Sequence, residues 1–199
     1  MTATQVLRTE HNHILAMIAC LRAACEELKS NQNFDTETFR KGVDFIRLYA
    51  DAWHHAKEEE ILFPAMEAAG MPREGGPIGV MLHEHVVGRS YLGKISDYLD
   101  AADNGETEAR QSVMNYSIAY AELLTQHIQK ENNILFNMAD QMFLPEEHEF
   151  LEEKYGNAIP ENADENTGAY FEQWVTELCE RWNIDRKDVV NVGESLSCG

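Results

Sequence analysis

An all-α fold, a bundle of helices with further helices after it, is what the 199-residue chain predicts. Three observations carry this. Apolar residues recur at three–four spacing through four long segments, and no alternating strand pattern competes with them. Short turn-forming stretches separate the segments, which implies an up-down-up-down antiparallel four-helix arrangement. Finally, His54-His55-Ala56-Lys57-Glu58-Glu59-Glu60-Ile61-Leu62-Phe63 is echoed by His127-Ile128-Gln129-Lys130-Glu131-Asn132-Asn133-Ile134-Leu135-Phe136. Both copies place His and Glu four residues apart, on one helix face.

The first helix, Thr4 to about Ser30, carries Leu7, Ile14, Ile18, Leu21, Cys25 and Leu28 on a stripe, and His11 completes it. His13 lies roughly 200° round the helix and is expected to face outward. After a polar break, Asp35 or Thr36 caps a second helix to Ala69, with Phe39, Val43, Ile46, Ala50 and Trp53 leading into the first motif. Pro64 removes a backbone donor and is expected to bend or shorten its end. Gly70 to Pro77 is a loop. The third helix shows Ile78, Met81, Gly88, Leu92, Ile95 and Leu99, with His85 filling the gap and His83 off the stripe. Asp103-Asn104-Gly105 is a turn and Thr107 a candidate cap. The fourth helix, to about Met142, sets Val113, Tyr120, Leu124, His127, Glu131, Ile134 and Met138 on one stripe.

Pro145 opens a different regime. An acidic helix (Glu146 to Tyr155) and a polar linker precede an amphipathic helix with Phe171, Trp174, Leu178 and Trp182 on one side. We therefore divide the chain into a bundle, residues 1–143, and a helical extension, 144–199, that packs on the bundle or on a partner. His148, in the acidic helix, is expected to be exposed.

Composition excludes several functions. A formal charge of -19 leaves no basic patch for nucleic acid or anionic membranes. No apolar run approaches the ~20 residues of a membrane span, and the N-terminal residues do not read as a signal peptide. Cys20, Cys25, Cys179 and Cys198 form no CxxC pair. They read as free thiols in a reducing, cytoplasmic setting.

The chemistry lies in the repeat. A carboxylate inside an apolar stripe costs several kcal/mol unless compensated, so Glu131 between Leu124 and Ile134 points to a bound cation. His11, His54, Glu58, His85, His127 and Glu131 are the candidate metal ligands. His55 with Glu59 is a rival pair of the same spacing, but only His54/Glu58 aligns with His127/Glu131. On that register Glu59, Glu60, Lys57 and Lys130 are outer-face charges. Imidazole and carboxylate suit iron, manganese or zinc, and the lack of thiolates disfavours structural zinc.

From Val6 to Met142 the chain resembles the hemerythrin-like (HHE cation-binding) domain family. The likeness rests on Glu10-His11, His54-His55-x-x-Glu58-Glu59 before Ile-Leu-Phe-Pro, Gly76-Pro77-Ile78 leading to Glu84-His85, and His127-x-x-x-Glu131-Asn-Asn-x-Leu-Phe. It implies two Fe ions in an oxo- or hydroxo-bridged di-iron centre, with Glu58 and Glu131 bridging. The nearest type is the group of iron-centre repair proteins, although their short cysteine-bearing N-terminal domain has no counterpart here. Oxygen carriers have two histidines four apart on the third helix; Met81 and Arg89 occupy the corresponding positions around His85. Without a fifth histidine, about two coordination positions stay open, one on each iron.

Three functions follow as expectations. The first is a di-iron protein binding O2 or NO for sensing, storage or redox response. The second is an enzyme acting on NO or peroxide, or donating iron for iron-centre repair. The third is an iron- or redox-responsive module that meets a protein partner, or itself, through the C-terminal helix.

Overall fold

The computed structural model describes residues 1–31, 33–157 and 167–189. Among them every regular element is helical, and no helix is long and apolar enough to cross a membrane. The helices are α1 (Ala3–Asn31), α2 (residues 36–68), α3 (Pro77–Asp103), α4 (residues 107–142), α5 (Pro145–Asn157) and α6 (Thr167–Arg181). The tail of the C-terminal extension, residues 190–199, and the linker at 158–166 lie outside the described residues.

Helices α1 and α3 follow the apolar spacing without deviation. Every stripe position from Leu7 to Leu28, and from Ile78 to Leu99, is buried. Helices α2 and α4 depart from it, because each contains π-helical turns: Ile46–His55 and Glu58–Leu62 in α2, Glu131–Leu135 in α4. A π turn closes i→i+5 hydrogen bonds and so inserts a residue into the α-helical phase. The expected stripe therefore slips by one. Trp53 is only half-buried while His54 is buried. Ile134 and Met138 are 53% and 37% exposed, and Leu135 and Ala139 take their places inside. The same widening accommodates Pro64, since the amide of Phe63 already bonds back five residues to Glu58.

Caps and turns are partly as expected. Asp35 caps α2 by accepting from the Thr38 amide at 2.9 Å. Gly105 turns the chain into α4 with φ +95°, a conformation natural to glycine. Thr107 is not the cap of α4; Glu106 occupies that position without a side-chain bond.

Two apolar cores stack along the bundle. One joins Ile14–Leu28 of α1 to Phe39, Phe45, Leu92, Leu99 and Leu124. The other joins Ala3, Leu7, Leu62, Phe63, Ile78 and Phe136. Each fully buried large side chain contributes about 1.5–3 kcal/mol. The extension packs on both. Phe171, Val175 and Leu178 of α6 belong to the first core, and Leu151 and Tyr155 of α5 to the second. His148 is buried with them rather than exposed, its Nε2 3.9 Å from Asp140. His13 does not face solvent either. The segment after α6 brings Arg186 to 3.0 Å from its Nδ1, a neighbour that the periodicity of α1 alone does not reveal.

Candidate metal centre

Between the two cores lies a buried polar layer. His11, His54, Glu58, His85, His127 and Glu131, the six candidate ligands, all meet there, and His55 joins them. Two groups of donor atoms form, each within 4.8 Å: His55, Glu58, His85 and His127, and His11, His54, Glu58 and Glu131. Glu58 belongs to both groups, and Glu131, of the second, also reaches His127 of the first. Glu58 places Oε1 3.4 Å from His54 and Oε2 3.5 Å from His85. Glu131 places Oε1 and Oε2 each 3.2 Å from His127 and His11 respectively.

His55 has no place in the matched repeat, yet it lies in the cluster. A matched repeat finds only residues that come in pairs, and the counterpart of His55 in the second copy is Ile128. The π turn supplies the missing geometry. It advances fewer degrees per residue than an α turn, so the neighbours His54 and His55 both face inward. His55 stacks on His85 with ring centroids 3.8 Å apart. Burial, and then the adjacent His85, push its pKa well below the usual imidazole value, so the ring stays neutral.

The outer nitrogen of each ring fixes its orientation. His54 Nδ1 donates to Glu10 at 2.9 Å, His127 Nδ1 to Glu84 at 2.9 Å, and His85 Nδ1 to Glu59 at 2.7 Å. His11 Nδ1 bonds Asn132 Oδ1 at 2.8 Å and His55 Nδ1 bonds Asp51 at 3.2 Å. With Nδ1–H committed outward, Nε2 is the nitrogen left to face inward. His11 and His54 bring these nitrogens within 3.0 Å of each other, as do His85 and His127. All four oxygens of Glu58 and Glu131 lack a hydrogen-bond donor.

Lys57 and Lys130 are not outer-face charges. Lys57 is buried against Glu10 and half-buried Lys130 reaches Glu84. Glu59 likewise turns inward to His85 and is clamped by Arg89 at 2.7 Å, which also holds Asp51. The repeat thus extends to the supports: Glu10 with Glu84, Lys57 with Lys130, and Glu59 with Asn132. Phe136 stacks on His11 and Phe63 on His85, one aromatic from each copy. Burial raises the pKa of Glu10, but His54 and Lys57 outweigh it and hold the carboxyl down at about 2. A small pocket lined by Gly88, Leu92, Tyr120 and Leu124 reaches His55 and His85 from the surface, with room for little more than a water-sized molecule.

These donors fit a pair of cations. Imidazole nitrogens and carboxylate oxygens, with no thiolate, suit divalent first-row metals. Two buried carboxylates without hydrogen-bond donors are costly unless positive charge lies nearby. Carboxylate-supported imidazoles are the usual environment of metal-bound histidine.

Comparison with known proteins agrees. Residues 2–139 match the family described as hemerythrin HHE cation binding domain. The chain is 28% identical over 135 residues to the iron-sulfur cluster repair protein YtfE of Edwardsiella ictaluri, covering 65% of this chain and 59% of that protein. It is 34% identical over 92 residues to YtfE of Dickeya chrysanthemi, 43% of this chain and 40% of that one. An uncharacterized protein of Mycobacterium tuberculosis, Rv1995, is 22% identical over 135 residues, covering 68% and 52%. The chain therefore spans less than two thirds of each of these relatives. No solved structure is matched significantly.

Proposed function

Since the chain belongs to the hemerythrin HHE cation-binding family, we propose that its polar layer holds two iron ions and that the loaded protein restores damaged iron–sulfur clusters by donating iron. The observation that carries the metal reading is the set of inward-facing imidazole nitrogens around two carboxylates that have no hydrogen-bond donor. The repair reading is supported by the two relatives named for that activity. It takes precedence over O2 or NO sensing, which no relative's name mentions.

In this reading His55, His85 and His127 serve one iron, and His11 and His54 the other. Glu58 and Glu131 would be shared between them, each carboxylate having one oxygen near a histidine of either set. Iron supplies a redox-active Lewis acid that can be released to an acceptor. Glu10, Glu84, Glu59, Asp51 and Asn132 hold the rings in place. His55 would supply a fifth imidazole, leaving less of the coordination to small ligands than four histidines would. We read residues 1–143 as an up-down-up-down four-helix unit with 144–199 as its extension. The short connections after α1 and α3 support this.

The test is anaerobic. Ferrous-loaded protein is mixed with an iron-depleted iron–sulfur enzyme and sulfide, and cluster absorbance and activity are followed. Recovery above a free-iron control at equal concentration is expected, and Glu131→Ala, which loses a bridging carboxylate, should give none. Stable retention of two irons with no recovery in the acceptor sinks the repair reading while leaving the metal site standing. The small pocket at His55 and His85 favours a second reading, binding of NO, O2 or peroxide at that flank. Visible absorption of the diferrous protein with and without each ligand tests it; unchanged spectra with all three exclude it.

A further inference from the structure

We infer that Cys20 and Cys179 form a second redox site, a peroxide-oxidisable dithiol that closes into a disulfide and ties helix α6 to helix α1. Their sulfurs lie 3.7 Å apart, in contact, although 159 residues separate them in sequence. Cys20 is fully buried at the centre of α1 and Cys179 sits on α6 over it, 3% exposed. A disulfide needs an S–S separation of about 2.0 Å, so closure requires the sulfurs to approach by about 1.7 Å. Cys25, one turn further along α1, has no such partner among the described residues; its thiol contacts the Met114 carbonyl oxygen.

The surroundings distinguish the two thiols. Cys179 lines a surface pocket of about 630 Å³ together with Thr176, Asn183, Ile184 and Arg186. Arg186 is held there by Thr176 and His13, at 3.3 and 3.0 Å. The hydrogen bond from Cys20 holds the Cys179 thiol below its ordinary range; burial opposes this and the Arg186 guanidinium assists it. The same contact, with burial, pushes Cys20 up. Cys179, which lines the pocket, is the attacking thiol and Cys20, fully buried behind it, the resolving one.

The chemistry balances with hydrogen peroxide as oxidant. The Cys179 thiolate attacks one peroxide oxygen, the O–O bond breaks, and hydroxide leaves, taking up the thiol proton as water. Cys179 becomes a sulfenic acid. The Cys20 sulfur then attacks that sulfur, an S–S bond forms, and a second water departs with the Cys20 proton. Two thiols and one peroxide give one disulfide and two waters. A dithiol reductant reverses it.

The site is independent of the iron reading, and its test uses thiol chemistry alone. The full-length chain is treated with stoichiometric hydrogen peroxide, its thiols are titrated, and non-reduced peptides are mapped by mass spectrometry. The expected result is loss of two titratable thiols and a peptide pair linked through Cys20 and Cys179, lighter by two hydrogens and restored by dithiothreitol. With Cys20→Ser, Cys179 should be trapped as its sulfenic acid by dimedone. With Cys179→Ser, Cys20 should stay unmodified. Helical circular dichroism of both variants reports folding, and the mapping of the unaltered chain stands without them. A peroxide-treated chain whose Cys20 and Cys179 remain reduced, or link to other cysteines, overturns the proposal.

Discussion

His55 is the residue on which the symmetry of this site breaks. Its neighbours His54 and Glu58 have exact counterparts in His127 and Glu131, whereas its own counterpart is Ile128, an apolar core residue. If the layer holds two irons as proposed, replacing His55 with Ala should therefore weaken one of them selectively. Elemental analysis after gel filtration is expected to fall from two irons per chain toward one, and retention of two would remove His55 from the ligand set. The other histidines predict a proton effect. Burial disfavours the charged ring of His54, but Glu58 and Glu10 outweigh it and raise its pKa to about 9. His127 rises to about 10 against the same burial, through Glu131 and Glu84. Both folded values exceed the ordinary one, so at pH 8 the metal-free chain carries these protons and metal must displace them. Loading at pH 8 should release about two protons per chain, read by a pH indicator in weak buffer, and apparent affinity should rise with pH until about 10. Uptake without proton release would mean that neither ring is a ligand.

At the scale of the element, the π turns decide what faces the site. Helices α1 and α3 each contribute one histidine from an unbroken α-helical stripe. Helix α2 contributes His54 and Glu58 at α-helical spacing and adds His55 through its π turn, and helix α4 contributes His127 and Glu131 at the same spacing, with a π turn beginning at Glu131. The amide of Phe136 bonds the carbonyl of Glu131, as Phe63 bonds Glu58. Extra residues in a helix impair its hydrogen-bond regularity, so their retention at both copies fits a demand of the site. Deleting Asn133, which is exposed, should return α4 to α-helical phase with Leu135, Phe136 and Ala139 still inward. The expected outcome is a helical, cooperatively melting chain that loses metal on dialysis faster than the parent. If it retains metal as well as the parent does, the π turn is not what aims Glu131.

The whole molecule sandwiches a charged layer between two apolar cores, with α5 and α6 sealing the outside. Because metal binds the folded chain, loading should raise the melting temperature, and a chelator should lower it while leaving helical dichroism at 25 °C largely unchanged. A chain that unfolds outright at 25 °C on chelation would show that the apolar cores alone do not hold the bundle. The sequence by itself determined the helical class, the regular stripes of α1 and α3, and six of the seven inward groups, because period and repeat are local properties of a chain. It could not reveal His55, the burial of Lys57 and His148, or the shift from Ile134 to Leu135. Those depend on π turns and on neighbours from other helices, and no single-helix period encodes them. The contact of Cys20 with Cys179 is of the same kind: two unremarkable thiols 159 positions apart, made a pair only by the docking of α6 on α1.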